Sequence, residues 1–244
     1  MRASAQSPKY ASAPMQTAYQ VLAPTGHALE GGEILYTNGL LAINSVHFGL
    51  TDHIAISVTP TLWSLFDSWA PFGLMVQPEV RIPLGEKVHL GGYFLASIPL
   101  QQRTRQRFID FVDPFFFPQV QREGLDGLLM GYLTVGTPTY FLTGGVGRFV
   151  EEEVVQPGTV VQLSAGMRFG PRSWLMMENY FTRGRLEDFV LDESTGFLYH
   201  RFVGYNGFAW ELGLTLIYSY GAVIPYLGGS VPLRRTVRRG RRAK

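Results

Sequence analysis

The chain has 244 residues, of which 16% are charged, 14% are aromatic and 28 are glycine. Soluble domains typically carry about 25% charged residues, so this shortage of charge predicts an outer surface that does not face water. The absence of cysteine excludes a disulfide framework, thiol catalysis and cysteine-based zinc sites, and no apolar run reaches the ~18 residues that a helical membrane span needs.

The formal net charge of +2 is unevenly distributed. The tail "RRTVRRGRRAK" holds seven of the 21 Lys and Arg residues, which leaves 14 basic against 19 acidic groups elsewhere. We expect a flexible N-terminal segment at 1–16, one β domain at 17–233 and a basic C-terminal tail at 234–244. Ala3-Ser4-Ala5 has the small-x-small form of a signal-peptidase site. It is interpreted either as the remnant of a signal peptide or as small residues that fall by chance in a flexible terminus.

Runs with the composition and alternation of β-strands follow one another along the chain. The first, 17–29, reads "TAYQVLAPTGHAL" and leads into the turn "EGG". Pro24 removes a backbone donor and suits only an edge-like or bulged position. Eleven further strands are predicted at 33–48, 53–62, 74–84, 87–99, 127–136, 139–149, 159–169, 173–183, 197–203, 207–219 and 221–233.

Short and long connections alternate through the middle of the chain. Glycine-containing tight turns occur in "FGLTDH" at 48, "PLGEKV" at 83, "VGTPTY" at 135, "FGPRSW" at 169 and "VGYNGF" at 203. Longer segments lie between them at 63–73, 101–126, 150–158 and 184–196. Bacterial outer-membrane barrels have short periplasmic turns and long outer loops, and a soluble sandwich has no reason to sort its connections in this way.

The strand count favours a closed barrel. Eleven runs are clear, and single-chain bacterial barrels have an even number of strands with both termini on the periplasmic side. Including 17–29 as a strand predicts about 12 strands, with ten as the alternative. The predicted fold is therefore all-β: a closed antiparallel up-and-down transmembrane β-barrel in the bacterial outer membrane.

The alternation of apolar and polar residues along each strand predicts which face meets lipid and which face lines the lumen. In the run that begins at His53, Ile54, Ile56 and Val58 lie on one face, opposite small or polar residues. A lipid-facing strand is apolar on alternate residues, whereas the lumen accepts polar groups. A soluble lipocalin-like barrel is the alternative, with the two faces exchanged. The candidate lumen-lining residues are Gln77, Glu79, Arg81, Gln162, Arg168, Glu178 and Glu211.

Aromatic residues group near both ends of the predicted strands. Two belts of this kind are typical of proteins whose amphipathic rings anchor at both membrane interfaces. One group lies near the tight turns and comprises Phe48, Phe169, Trp174, Phe202 and Phe208. The other comprises Trp63, Phe66, Trp69, Phe72, Tyr218 and Tyr220.

Three stretches, "NGLLAINSVHFGLTDHIAIS", "MRFGPRSWLMMENYF" and "IPYLGGSVPL", resemble a family of uncharacterised outer-membrane β-barrel proteins of Gram-negative bacteria. The resemblance extends over 20–233 and implies the same fold and location, but its motifs are structural and bring no catalytic residue. Leu233 stands where that family usually has an aromatic residue, and a basic tail follows. The sequence therefore departs from the family at the last strand, which the barrel-assembly machinery recognises.

The longest connection has an unusual composition. Segment 101–126 carries Arg103, Arg105 and Arg107, followed by Phe115, Phe116 and Phe117. Consecutive Phe residues are rarely left in water. We interpret the segment as an outer lid or an inward-folded loop whose arginines meet anionic lipopolysaccharide. The tail 234–244 suits an anionic periplasmic partner or phospholipid headgroups, although a solvated tail without function is the simplest interpretation, and no nucleic acid is expected.

No pattern indicates catalysis. Asp52 and His53 are the only tempting pair, and they fall in a tight periplasmic turn rather than at the outer rim where outer-membrane hydrolases act. The five histidines have no metal-binding spacing. We predict no enzyme, no metal and no cofactor. The expected function is a narrow solute channel or a structural envelope component, with a barrel that binds an apolar ligand or lipid in its lumen as the alternative.

Overall fold

The computed structural model describes residues 19, 24–27, 29–39, 43–61, 73–99, 126–150, 158–183, 194–205, 207–218 and 221–234. These residues contain twelve strands and no α-helix. The strands are β1 (Ile34–Gly39), β2 (Ile43–Gly49), β3 (Ile54–Thr61), β4 (Gly73–Pro83), β5 (Val88–Pro99), β6 (Asp126–Thr137), β7 (Tyr140–Val150), β8 (Thr159–Gly170), β9 (Ser173–Arg183), β10 (Thr195–Val203), β11 (Ala209–Ile217) and β12 (Ala222–Arg234).

The twelve strands form one closed antiparallel barrel in which each strand pairs with its neighbours in sequence. The barrel closes where β1 pairs with β12, and Ile34 lies beside both Phe48 and Arg234. Closure leaves no unpaired sheet edge. The predicted closed up-and-down barrel of twelve strands is confirmed.

All five predicted tight turns join consecutive strands at one end of the barrel, which we call the tight-turn end. Residues 50–53, 84–87, 138–139, 171–172 and 204–208 form these connections. At the opposite end the long connections fall as predicted between β3 and β10. The two connections nearest the closure, 40–42 and 218–221, are also short, so the alternation does not extend to the first and last hairpins.

The assignment of the first two strands is wrong. The run 33–48 is not one strand but a hairpin, because β1 and β2 pair directly and Gly39 lies opposite Ile43. None of the described residues in 17–29 belongs to a barrel strand; Tyr19 and Pro24 form an isolated bridge with each other. The count of twelve therefore results from splitting one predicted strand, while the described residues of another predicted strand lie outside the barrel wall.

The strand faces follow the predicted alternation. On β3, Ala55 and Ser57 are buried while Ile54 is 41% exposed on the outside. The outward apolar residues of β8 and β11 are exposed in the same way, whereas Glu79 and Glu211 are buried inside. Apolar side chains thus cover the outer surface and charged side chains occupy the interior. This is the reverse of the arrangement in a soluble barrel.

One member of the predicted aromatic belt does not belong to the outer surface. Trp174 points inward, is 3% exposed and donates its indole N–H to the Pro138 carbonyl at 3.2 Å. Its parity on β9 equals that of the buried Glu178, so a lipid-facing Trp174 would have required a lipid-facing carboxylate. By contrast, Phe169 and Phe202 are exposed on the outside.

Large side chains from the wall fill much of the interior. They form two clusters of buried residues on strands β5 to β12. Space for them comes from inward glycines on neighbouring strands: a side chain at Gly91 would collide with the ring of Tyr132, and one at Gly213 with Tyr199. The clusters comprise Phe141, Trp174, Met176, Phe197, Tyr199, Val203, Ala209 and Tyr226 in one case, and Tyr93, Met130, Tyr132, Val160 and Tyr180 in the other.

Candidate functional site in the barrel interior

The chain that precedes β1 enters the barrel at the tight-turn end. We call its described residues, 19, 24–27 and 29–33, the inner segment. A turn at Gly32 (φ 86°) leads into β1, and the amide of Gly32 donates to the Gly49 carbonyl at 2.7 Å. Leu29 is fully buried against Tyr19 and Leu35. The inner segment is therefore packed inside the barrel and is part of its core.

Tyr19 connects opposite walls of the barrel. Its ring stacks on His47 of β2 with a centroid distance of 3.8 Å, and its hydroxyl donates to Glu79 of β4 at 2.8 Å. From the far side, Arg201 of β10 donates to the Tyr19 carbonyl at 3.2 Å. Burial, followed by the Glu79 carboxylate, raises the pKa of Tyr19 well above its usual value, so the hydroxyl remains a donor.

The middle of the inner segment contacts a third part of the wall. The Gly26 amide donates to Thr134 Oγ1 on β6 at 2.9 Å. The His27 ring meets Phe141 of β7 and His89 of β5 edge-on, at centroid distances of 5.2 and 5.5 Å. Burial, followed by the charges of His89 and Arg81, lowers the pKa of His27 to about 4. His27 is therefore neutral at physiological pH.

Two groups of charged residues and tyrosines lie across the lumen. In the first, Glu79 accepts hydrogen bonds from Tyr19 and from Tyr132 at 2.8 and 2.6 Å, and its carboxylate lies 2.9 Å from Arg81 Nε. Opposite charges buried this deeply persist only when paired and hydrogen-bonded. The first group therefore joins strands β4 and β6 to the inner segment.

The second group is centred on Arg201, which is 2% exposed. Its Nε and Nη2 atoms lie 2.6 and 2.5 Å from one carboxylate oxygen of Glu211, and Tyr226 donates to the other oxygen at 2.6 Å. Because Arg201 also donates to the Tyr19 carbonyl, the second group touches the same residue as the first. Tyr19 thus joins the two charged groups.

The structure places the other predicted lumen residues as follows. Gln77, Gln162 and Glu178 are buried in the interior, at 7%, 1% and 0% exposure. Glu178 accepts a hydrogen bond from Tyr180 at 2.5 Å. Arg168 does not lie in the middle of the lumen. It is half-buried at the tight-turn end, donates to the carbonyls of Gly170 and Pro171, and lies 5.1 Å from the Trp174 ring centroid.

The remaining sequence candidates do not form a site in the described residues. Arg103, Arg105, Arg107, Phe115, Phe116 and Phe117 lie outside them. Asp52 and His53 are exposed, and the Asp52 carboxylate accepts the Gly31 amide at 3.0 Å. Asp52 thus helps to hold the base of the inner segment.

Sequence reasoning missed the residues that bring the two groups together: Tyr19, Tyr132, Arg201 and Tyr226. Arg201 and Tyr132 could have been found by the alternation used elsewhere. Arg201 alternates with the outward Phe202, and Tyr132 with the outward Leu133. Tyr19 carries no such signal, because its place depends on an inner segment that resembles a strand.

The fold and its interior define a class: a closed twelve-stranded β-barrel with an apolar exterior and a charged interior occupied by an inner segment. The chain matches no protein-family model and no curated protein. Within the described residues, no helix has the length and apolar character needed to cross a membrane. The same residues contain no group of three or more His, Cys, Asp and Glu side chains placed to hold a metal ion.

Proposed function

We propose that the chain is an integral outer-membrane β-barrel protein, and that it is a narrow solute channel closed by its inner segment. The observation that carries this proposal is the placement of apolar and charged side chains. Outside, Leu133, Leu142 and Leu212 are 43%, 52% and 67% exposed, whereas inside, Glu79 and Glu178 are 1% and 0% exposed. Hydrocarbon stabilises such an exterior, and a monomer in water rarely presents so large an apolar surface.

Strand length supports the membrane location. A transmembrane β-strand needs about 9–11 residues, and β4 to β9 have 11 or 12 residues each. The five tight turns lie at the same end as the start of β1 and the end of β12, and the four long connections lie at the other end, as in outer-membrane barrels. The resemblance to uncharacterised outer-membrane barrel proteins points in the same direction.

The interior favours a channel that is closed in the described state. Polar and charged side chains on opposite walls are bridged by Tyr19, which belongs to neither wall. Removing such a bridge would leave a lumen lined by carboxylates, guanidinium groups and hydroxyls, which suits a hydrated path for small solutes. If the protein has a purely structural role, we expect the lumen to stay closed even when the inner segment is displaced.

The partners proposed here follow from the membrane location. Outer-membrane lipids would contact the exterior, and lipopolysaccharide would meet the arginines of 101–126. The barrel-assembly machinery would insert the chain. We further propose that the basic tail 234–244 contacts an anionic partner in the periplasm, by long-range attraction.

A pair of leucine substitutions tests the membrane location. Leu133 lies in the middle of β6, whereas Leu84 lies in a tight turn and is 60% exposed. If hydrocarbon surrounds the barrel, Leu133→Arg should lower the free energy of unfolding by roughly 2–4 kcal/mol, and Leu84→Arg should lower it by about 0–1 kcal/mol. In water, both exposed substitutions change stability by about 0.5 kcal/mol or less. Urea unfolding in lipid vesicles measures the difference, and equal small effects would refute the proposal.

A removable disulfide tests the channel. An ideal Cβ on Gly26 lies 2.7 Å from the Thr134 Cβ, so Gly26→Cys with Thr134→Cys forms a disulfide after a shift of about 1 Å. The chain has no other cysteine. We combine this pair with Tyr19→Ala and record conductance in planar bilayers. Steady current is expected only after reduction. Absence of current in both states would favour the structural role, and equal current in both would show that the inner segment does not close the lumen.

A further inference from the structure

Arg148 is a charged residue on the apolar outside of the barrel. It lies on β7 between the outward Val146 and Val150, which are 60% and 45% exposed, and its own side chain is exposed. No hydrogen bond or ion pair joins it to another described residue. Of the outward strand side chains that the structure describes, only that of Arg148 is an Asp, Glu, Lys or Arg. Its guanidinium group is therefore free to bind a partner outside the barrel.

Arg148 lies near the end of the barrel that carries the long connections. The strand ends two residues later, at Val150, and the chain then enters one of these connections. In the proposed membrane location this end faces the outside of the cell. An outward arginine is costly at the middle of the bilayer but tolerated near the interface, where its long side chain reaches the headgroups. The position of Arg148 thus places its charge at the level of the lipid headgroups.

A shallow groove of about 380 Å³ lies beside Arg148 on the outer wall. At Gly131 an added Cβ would meet nothing within 4 Å, and Gly92 of β5 lies in register with Gly131. Two neighbouring strands therefore lack side chains at this level, which leaves a depression in the apolar surface. The groove is lined by Leu129, Gly131, Val146, Gly147, Arg148 and Thr159.

We propose that this groove binds the lipid A part of lipopolysaccharide, with a phosphate group on Arg148 and an acyl chain along Gly131. The planar guanidinium fork of Arg148 matches two oxygens of a phosphate group. Thr159 is exposed and lies in register with Arg148, so its hydroxyl group supplies a further donor at the same level. This inference rests on the proposed outer-membrane location, and it assigns the lipid a defined site on the barrel wall.

Native mass spectrometry of the full-length protein in detergent with added lipid A tests the phosphate contact. Wild-type protein is expected to bind lipid A about tenfold more tightly than dephosphorylated lipid A, because hydrogen bonds to charged groups are among the stronger ones. Arg148→Gln should lose this preference. Arg172→Gln, in a tight turn at the opposite end, is the matched control and should bind as wild type. Absence of lipid A binding, equal affinity of wild type for both lipids, or equal weakening in both variants overturns the proposal.

Leucine substitutions at two outward glycines test the position of the acyl chain. Gly131 lines the groove and Gly144 does not, although an added Cβ at either glycine would meet nothing within 4 Å. Gly131→Leu fills the groove and should weaken lipid A binding several-fold, while the preference for the phosphorylated lipid remains. Gly144→Leu should bind as wild type. Unchanged binding by Gly131→Leu overturns the site, and heat-modifiable migration on a gel reports the folding of each variant.

Failure of the lipid site is distinguishable from failure of the membrane location. If Leu133→Arg destabilises the protein in vesicles more than Leu84→Arg does, but Arg148→Gln leaves lipid A binding unchanged, only the lipid site is wrong. Equal small effects of the two leucine substitutions would refute the membrane location itself, and the lipid site with it.

Discussion

Two parts of the barrel wall are built differently. Strands β1 to β3 have 6, 7 and 8 residues and direct small side chains such as Ser45, Ala55 and Ser57 inward. Strands β4 to β9 have 11 or 12 residues, and their inward residues include Tyr132 and Trp174. We call them the small-residue wall and the large-residue wall.

The inner segment compensates for this difference. Tyr19 stacks against the small-residue wall at His47, and Leu29 lies where the inward face of β2 ends in Gly49. Protein interiors are packed to nearly uniform density. Where the wall supplies small side chains, another part of the chain must therefore fill the volume. The large-residue wall fills its own share, and the inner segment contacts it at Glu79 and Thr134 by hydrogen bonds and at the rings of His89 and Phe141.

The largest effect is expected at Arg201, through which β10 contacts the inner segment. Arg201→Ala leaves Glu211 as an unpaired buried charge, which costs about 3–5 kcal/mol. Arg201→Met with Glu211→Met removes both charges and should recover most of the loss. Denaturant unfolding of the refolded protein measures both variants. A double variant as unstable as the single one would show that volume and not charge pairing dominates there.

The docked inner segment should be sensitive to pH through His27. Its pKa is about 4 in the barrel and 6.5 when released. Above pH 6.5 the imidazole is neutral in both states. As pH falls from 6.5 to 4, protons bind the released form preferentially, and docking weakens by up to about 3 kcal/mol. The hydrogen-exchange protection factors of residues 25–27 and 29–30, which correct for the intrinsic effect of pH on exchange, should fall over this range, and His27→Phe should remove most of the change.

Removal of single hydroxyl groups distinguishes the role of the inner segment from that of the wall. Tyr19→Phe and Tyr226→Phe each remove one hydrogen bond to a buried carboxylate, on Glu79 and Glu211 respectively. Each should cost about 1.5–3 kcal/mol. Only Tyr19→Phe should increase exchange in the inner segment, because Tyr226 belongs to the wall. Equal exchange in both variants would contradict the separate roles of the two parts.

The smallest effect is expected when two glycines are each replaced by alanine. A Cβ at Gly49 would collide with the Glu30 carbonyl, whereas one at Gly144 has nothing within 4 Å. Gly49→Ala should therefore weaken docking of the base of the inner segment by about 1–3 kcal/mol. Gly144→Ala should leave the docking free energy unchanged. Protease sensitivity of the segment near Glu30 measures the difference. Matching sensitivities would indicate that the backbone contact contributes little.

Local patterns were sufficient for the wall from β3 to β12, although they merged β1 and β2 into one strand. The alternation around Ile54, Val80 and Leu212 assigned inside and outside correctly, because side chains on a strand alternate with a period of two. Five glycine-containing turns marked the hairpins, since their backbone angles require particular residues. The same alternation should have placed Arg201 inward, and it was not applied to that residue. For Trp174 it conflicts with the assignment to the aromatic belt, because the inward Glu178 shares its face.

Only the tertiary structure decided the position of the described residues before β1 and the arrangement of the lumen. "TAYQVLAPTGHAL" has the composition of a strand, and nothing local distinguishes a strand that joins the sheet from a segment that packs inside it. That choice depends on the volume left by distant residues such as Ser57 and on the hydrogen bonds that Glu79 and Thr134 accept from Tyr19 and Gly26. The sequence by itself determined the wall from β3 to β12, because the alternation within each strand indicates its two faces. The first hairpin and the interior required all twelve strands together, because the space and the partners inside come from opposite sides of the barrel.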